Sequence, residues 1–154
     1  MKYLKLQTDI LKAADKRDRG GKLSPFQYGT VDNCVGVIVD GYYIVFIPYN
    51  RFYLKLDRAF SQAEPVKIEP MIWGVHKTVN YFDTGLRRTI IEDGRTVRIF
   101  TNKFEDIWID EKTLKYFDLE GAVFKGTDRK SPLFIYEESR PEDLAGMILP
   151  VNHN

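Results

Sequence analysis

The sequence predicts an α+β protein: one antiparallel sheet with two helices on one face. Three observations predict it. Residues 3–56 and 107–151 both read strand, helix, strand, strand, strand. Two β-branched and aromatic runs are split by Asp-Gly, at Asp40-Gly41 and Asp93-Gly94, the dipeptide of a two-residue hairpin turn. Aromatics make up 14% of the 154 residues, which favours strands.

In chain order, Tyr3 to Leu6 reads as a short strand. Thr8 can cap a helix from Asp9 to about residue 18, with Ile10, Leu11 and Ala14 on its apolar side and Lys12, Lys16 and Arg19 opposite. Gly20-Gly21 ends it, and 22–27 reads as a loop. Val35 to Val39 and Tyr42 to Ile47 form the clearest hairpin, and both strands are apolar on successive residues, so both faces are expected to be covered. Phe52 to Leu56 reads as a further strand. The connector 58–103 contains Pro65 and Pro70, a stretch 71–82 whose periodicity fits strand or helix, and a hairpin over 89–101. Then come a strand at Ile107 to Ile109, a helix over 111–117 capped by Asp110, a strand at Ala122 to Lys125, and two strands at Leu133 to Tyr136 and Met147 to Leu149 around the loop 139–143. The half-units are about 3–57 and 104–151, and the chain reads as one domain.

Composition limits the function classes. Net charge is +1, so no global basic field announces nucleic acid, and any DNA contact needs a local patch. The single cysteine, Cys34, excludes an intramolecular disulfide and a cysteine-rich zinc site. The two histidines, His76 and His153, are in no metal-ligand spacing, so no metal and no cofactor are expected. Cys34 has no base placed beside it, and Gly20-Gly21 lacks the downstream residues of a phosphate loop. A non-enzymatic protein is expected. The opening residues lack the apolar core of a signal peptide and no run reaches the roughly 18 apolar residues of a membrane span, which predicts a cytoplasmic protein with no membrane partner.

Several short segments resemble a domain of the bacterial sliding clamp, the β subunit of the replicative polymerase. They are Ile109-Asp-Glu-Lys-Thr-Leu-Lys-Tyr-Phe117, Ser131-Pro-Leu-Phe-Ile135, the hydrophobic-Pro-hydrophobic run Met147-Ile-Leu-Pro-Val151, and Val37-Ile-Val-Asp-Gly41. The resemblance implies a doubled β-α-β-β-β fold and a replication-related accessory role. It departs in three ways: the family's chain carries several such domains, the connector 58–103 is longer than the family uses, and three residues come after Val151. By the resemblance, a ring around duplex DNA would take about six copies of a one-domain chain, a homo-oligomer. Lys12, Lys16, Arg19, Lys112 and Lys115 would face DNA and neutralise phosphates without reading sequence. The alternative is that these are ordinary solvent-facing cations interleaved with Asp9, Asp15 and Glu111. By the same resemblance, Met147, Leu149, Pro150 and Val151 would line a groove for short hydrophobic peptide motifs of replication proteins. Strand alternation puts Met147, Leu149 and Val151 on one face and Ile148 on the other, and Pro150 predicts a strand end free on one side. The rival to a DNA-bound clamp is an interaction module that keeps the fold without ring or DNA.

Overall fold

A computed structural model describes residues 1–153. Helix α1 spans Tyr3–Asp18, and the predicted strand at its start is absent. Tyr3, Leu6, Gln7, Ile10 and Ala14 are its buried residues, a stripe at helical spacing that begins with Tyr3. Tyr3 to Leu6 is too short for its local pattern to separate strand from helix. The burial of the stripe against the sheet decides it.

Three strands come next: β1 (Phe26–Val31), β2 (Cys34–Val39) and β3 (Tyr43–Pro48). Part of the expected loop 22–27 is therefore strand. The β2–β3 turn is as predicted, with Asp40 at φ 53° and Gly41 at φ 72°, both left-handed as a type I′ turn demands. The strand expected at 52–56 is not one. Phe52 and Leu54 are half-buried and Tyr53 and Lys55 exposed, the expected alternation, but this segment has no ladder partner among the described residues and runs into the short helix α2 (Leu56–Ala59). The ambiguous stretch 71–82 divides between a 3-10 segment, Glu69–Lys77, and the start of β4 (Val79–Thr89). Then come β5 (Thr96–Thr101) and β6 (Asp106–Asp110). The helix expected over 111–117 is a single 3-10 turn, Glu111–Leu114, hereafter the Glu111 turn. The chain continues through β7 (Ala122–Gly126), β8 (Leu133–Glu137) and β9 (Arg140–Ile148).

The strands form one nine-stranded sheet in the order β1-β2-β3-β9-β8-β7-β4-β5-β6, with every neighbouring pair antiparallel. The first half thus reads helix and three strands, whereas the second reads strand, turn and three strands. Both sheet faces are covered, as the apolar β2 and β3 demand. On one face Val37, Val45, Ile135 and Ile148 pack with Leu6 and Ile10 of α1, Phe100, Ile107 and Ile109 of β5–β6, and Leu114 and Phe117. So α1 and the Glu111 turn share one core, although the second of the two expected helices is only a turn. On the other, Ile38, Ile44, Phe134 and Met147 pack under Ile68, with Val66, Ile72 and Val75 beside them. No described helix is long and apolar enough to cross a membrane.

Both edges of the sheet are partly covered by the chain itself. At β1 the Gln62 side-chain amide accepts from Tyr28 N (2.6 Å) and donates to Tyr28 O (2.8 Å), and Val66 N donates to the same carbonyl (2.9 Å). At β6, Val151 N donates to Trp108 O (2.8 Å). Exposed edges are the usual route by which sheets pair between molecules, and here neither is open along its length.

Candidate functional site

The sheet brings its β2–β3 turn, the Glu111 turn and residues 149–151 around one cleft of about 880 Å³. Each wall has a local cause. The β2–β3 turn is tied to the start of β1 by Asp40 N donating to Pro25 O (3.0 Å), which sets Phe26, Val39, Tyr42 and Tyr43 along one side. Opposite, the Asp110 carboxylate accepts from Lys112 N (3.0 Å), and Thr113 Oγ1 donates to Asp110 O (2.7 Å), fixing the Glu111 turn at its start. The turn is bound to α1 by Tyr116, whose hydroxyl donates to Asp9 Oδ2 (2.6 Å) and whose carbonyl accepts from Lys2 N (3.1 Å).

Residues 149–151 form the third wall because the chain leaves the sheet there. Leu149 N still donates to Tyr42 O just before β3 (3.0 Å), while Val151 N bonds to Trp108 on the far edge strand. Pro150 is the crossing residue. It has no N–H to place, so the passage from one partner to the other strands no donor. The alternation read from sequence stops at this crossing. Met147 sits opposite Ile44 and Phe134 within the sheet and is buried in the second core, whereas Leu149, Pro150 and Val151 line the cleft. Met147 instead lines a smaller apolar pocket of about 400 Å³ with Ile38, Ile44 and Met71, and Leu149 borders both. β9 itself is an inner strand, paired with both β3 and β8 at Gly146 to Ile148, and its β3-side pairing ends at Leu149 N.

The five expected cations divide. Lys112 and Lys115 reach the cleft. Lys115 is drawn to Asp9 (3.3 Å) and lies over the Tyr116 ring (5.2 Å). Lys12 and Lys16 are exposed on α1, and neither lines the cleft; Arg19, just past the helix, pairs with Asp15 (3.1 Å) at the surface, where such a pair contributes little. Tyr42, Tyr43, Tyr116, Phe26 and Arg95 join the cleft without being expected in a site. The Tyr-Tyr pair directly after Asp40-Gly41 is the one local signal that points to two of them.

Burial and hydrogen bonding set the ionisation of the groups around the cleft. Burial pushes the Tyr43 and Tyr116 phenols well above their usual range, Tyr116 further because its proton is held by Asp9. Burial also pushes Asp9 up, but the Tyr116 and Lys115 bonds outweigh it and hold the carboxyl below its ordinary value. Both phenols therefore keep their protons near neutral pH. Cys34 is half-buried with its thiol pushed up by burial, and His76 is exposed. No described group of three His, Cys, Asp or Glu is placed to hold a metal.

Fold and cleft together define an α+β protein on a nine-stranded antiparallel sheet with a cleft partly lined by aromatic side chains. No protein-family model matches the chain, and no curated protein or solved structure matches it significantly.

Proposed function

We propose that this chain is a non-enzymatic protein-interaction module with a clamp-like fold, binding a short extended apolar segment of a partner in the cleft. The observation that carries this is the cleft itself: Leu149, Pro150 and Val151 line it together with Phe26, Tyr42, Tyr43 and Tyr116, and the polar Lys112 and Asp40 belong to the same lining. Clefts lined by apolar and aromatic side chains with a few polar groups are what short apolar peptides dock on. The partly covered sheet edges favour a module acting without a ring, since strand pairing between copies has no continuous open edge to use.

The test is selection from a peptide library, and then one variant. Leu149 is 40% exposed, so Leu149→Ala is expected to cost under about 1 kcal/mol in stability while weakening selected peptides several-fold. A core role would instead cost roughly 2–5 kcal/mol. A large fall in melting temperature, or peptide affinity unmoved by the substitution, removes the cleft from the reading.

One observation favours a second reading, a DNA-associated clamp-like accessory protein. Lys12 and Lys16 are exposed on α1, which covers the same sheet face as the turn bearing Lys112. If they meet duplex, the wild type is retained on DNA at low salt and released steeply as salt rises, and Lys12→Glu with Lys16→Glu abolishes retention. A ring would also run in solution at about six times the chain mass. A monomer that passes through a DNA column at low salt leaves the interaction module alone.

A further inference from the structure

The residues that wall the cleft also fasten the far edge of the sheet. Three carbonyls at alternate positions of β6 have a donor: Asp110 O from Thr113 Oγ1 (2.7 Å), Trp108 O from Val151 N (2.8 Å) and Asp106 O from His153 Nε2 (3.0 Å). A ring nitrogen that close to a carbonyl must carry its proton, so Nε2–H donates. The His153 ring lies flat on the Trp108 indole, with centroids 4.0 Å apart and planes within 1°. The Arg88 guanidinium lies 5.3 Å from the same indole. Between Leu149, which still bonds beside β3, and Val151, which bonds to β6, the chain spans from an inner strand to the edge strand through Pro150. This segment is therefore held at its far end by one backbone bond, the buried Val151 side chain and one stacked, hydrogen-bonded ring.

We propose that residues 149–153 form a releasable strap, pinned to β6 by His153 on Trp108, whose closure builds one wall of the cleft and so regulates binding there. The regulatory half rests on the cleft being the partner site. A ligand touching Leu149 to Val151 favours the closed strap, and by linkage anything that opens the strap weakens the ligand. Opening would also bare the edge of β6, so a strand arriving there competes with the strap.

Amide hydrogen exchange on the full chain reads the strap without any ligand. In the wild type the Val151 amide is protected by its bond to Trp108. In His153→Ala it is expected to exchange at least about tenfold faster, from losing a stacked ring and a hydrogen bond, while Ile148 and Tyr43 in the inner strands keep their protection. His153→Phe, which keeps the stack and loses the bond, is expected to fall between. Unchanged Val151 exchange in His153→Ala overturns the pin, and acceleration throughout β9 overturns a strap that opens by itself. Peptides selected by the wild type then test regulation: His153→Ala should weaken them, and equal affinity overturns that half. If the wild type selects no peptide, the cleft reading and its regulation fall together, and the exchange result still decides the strap.

Discussion

Gly146→Ala is expected to destabilise the protein by about 1–3 kcal/mol, among the largest effects of any single methyl group in the chain. Gly146 lies in β9 between Val45 and Ile135, at the centre of the sheet. A Cβ there would land on the Phe117 ring, 2.5 Å from its Cζ, and 3.2 Å from the Ile44 carbonyl oxygen. Phe117 is buried in the core, and its N–H donates to Leu114 O (3.0 Å). The ring cannot withdraw without moving the Glu111 turn and, with it, the Tyr116 wall of the cleft. Denaturant unfolding measures the cost. Phe117→Leu in the same chain should recover part of it, because a smaller side chain makes room, so the two substitutions together should cost less than their sum. An unchanged midpoint for Gly146→Ala would show that the ring moves freely and that the cleft wall is not braced from beneath.

Arg98→Ala is expected to cost about 2–3 kcal/mol, because it leaves a partly buried carboxylate without its partner. The guanidinium grips Asp83 through two parallel bonds, Nε to Oδ1 (2.8 Å) and Nη2 to Oδ2 (2.7 Å), with the two side chains only 16% and 19% exposed. Nη1 reaches Glu111 Oε1 (3.4 Å), which also accepts from Arg87 Nε (3.0 Å). This network ties β4 and β5 to the Glu111 turn. It also carries a pH signature. Burial pushes the Asp83 carboxyl up, but the Arg98 bonds, the Gly85 N–H and the neighbouring guanidinium charges outweigh it and hold it below the ordinary carboxylate range. A carboxyl depressed in the folded state stabilises fully above its unfolded value, about 4, and the contribution fades as pH falls through the lower folded value. The gap in melting temperature between wild type and Arg98→Ala should therefore be widest near neutral pH and close in acid. A gap that stays constant down to pH of about 2 would assign the loss to the aliphatic stem of Arg98 and not to its charge.

The elements legible in the sequence are those whose causes are local. Asp40-Gly41 gives two left-handed residues between two apolar runs, and the turn results from steric rules alone. Asp110 caps the Glu111 turn by accepting from Lys112 N, and this too is readable, although the helix it starts stops after one turn. Tyr3 to Leu6 reads as strand because four residues cannot show a period; only Ile10 and Ala14, buried on the same stripe, make them helical. Phe52 to Leu56 reads as strand for the opposite reason. Its alternation is real, but a strand also needs a neighbour, and no described strand pairs with it.

The candidate site divides in the same way. That residues 147–151 are apolar, extended and interrupted by a proline is written in the sequence, and so are an α+β composition, hairpins and a strand-rich core. Which way those residues face is not. Met147 and Val151 serve different surfaces because β9 sits inside the sheet while the chain beyond it crosses to β6, and the partners that fix this, Tyr42 and Trp108, are remote in sequence. The opposite wall is built by Tyr116 bonding to Asp9, 107 residues away. Backbone turns and periodicities are set by neighbours along the chain, which a sequence records. A cleft is set by which distant segments exclude water together, and only the packed sheet decides that.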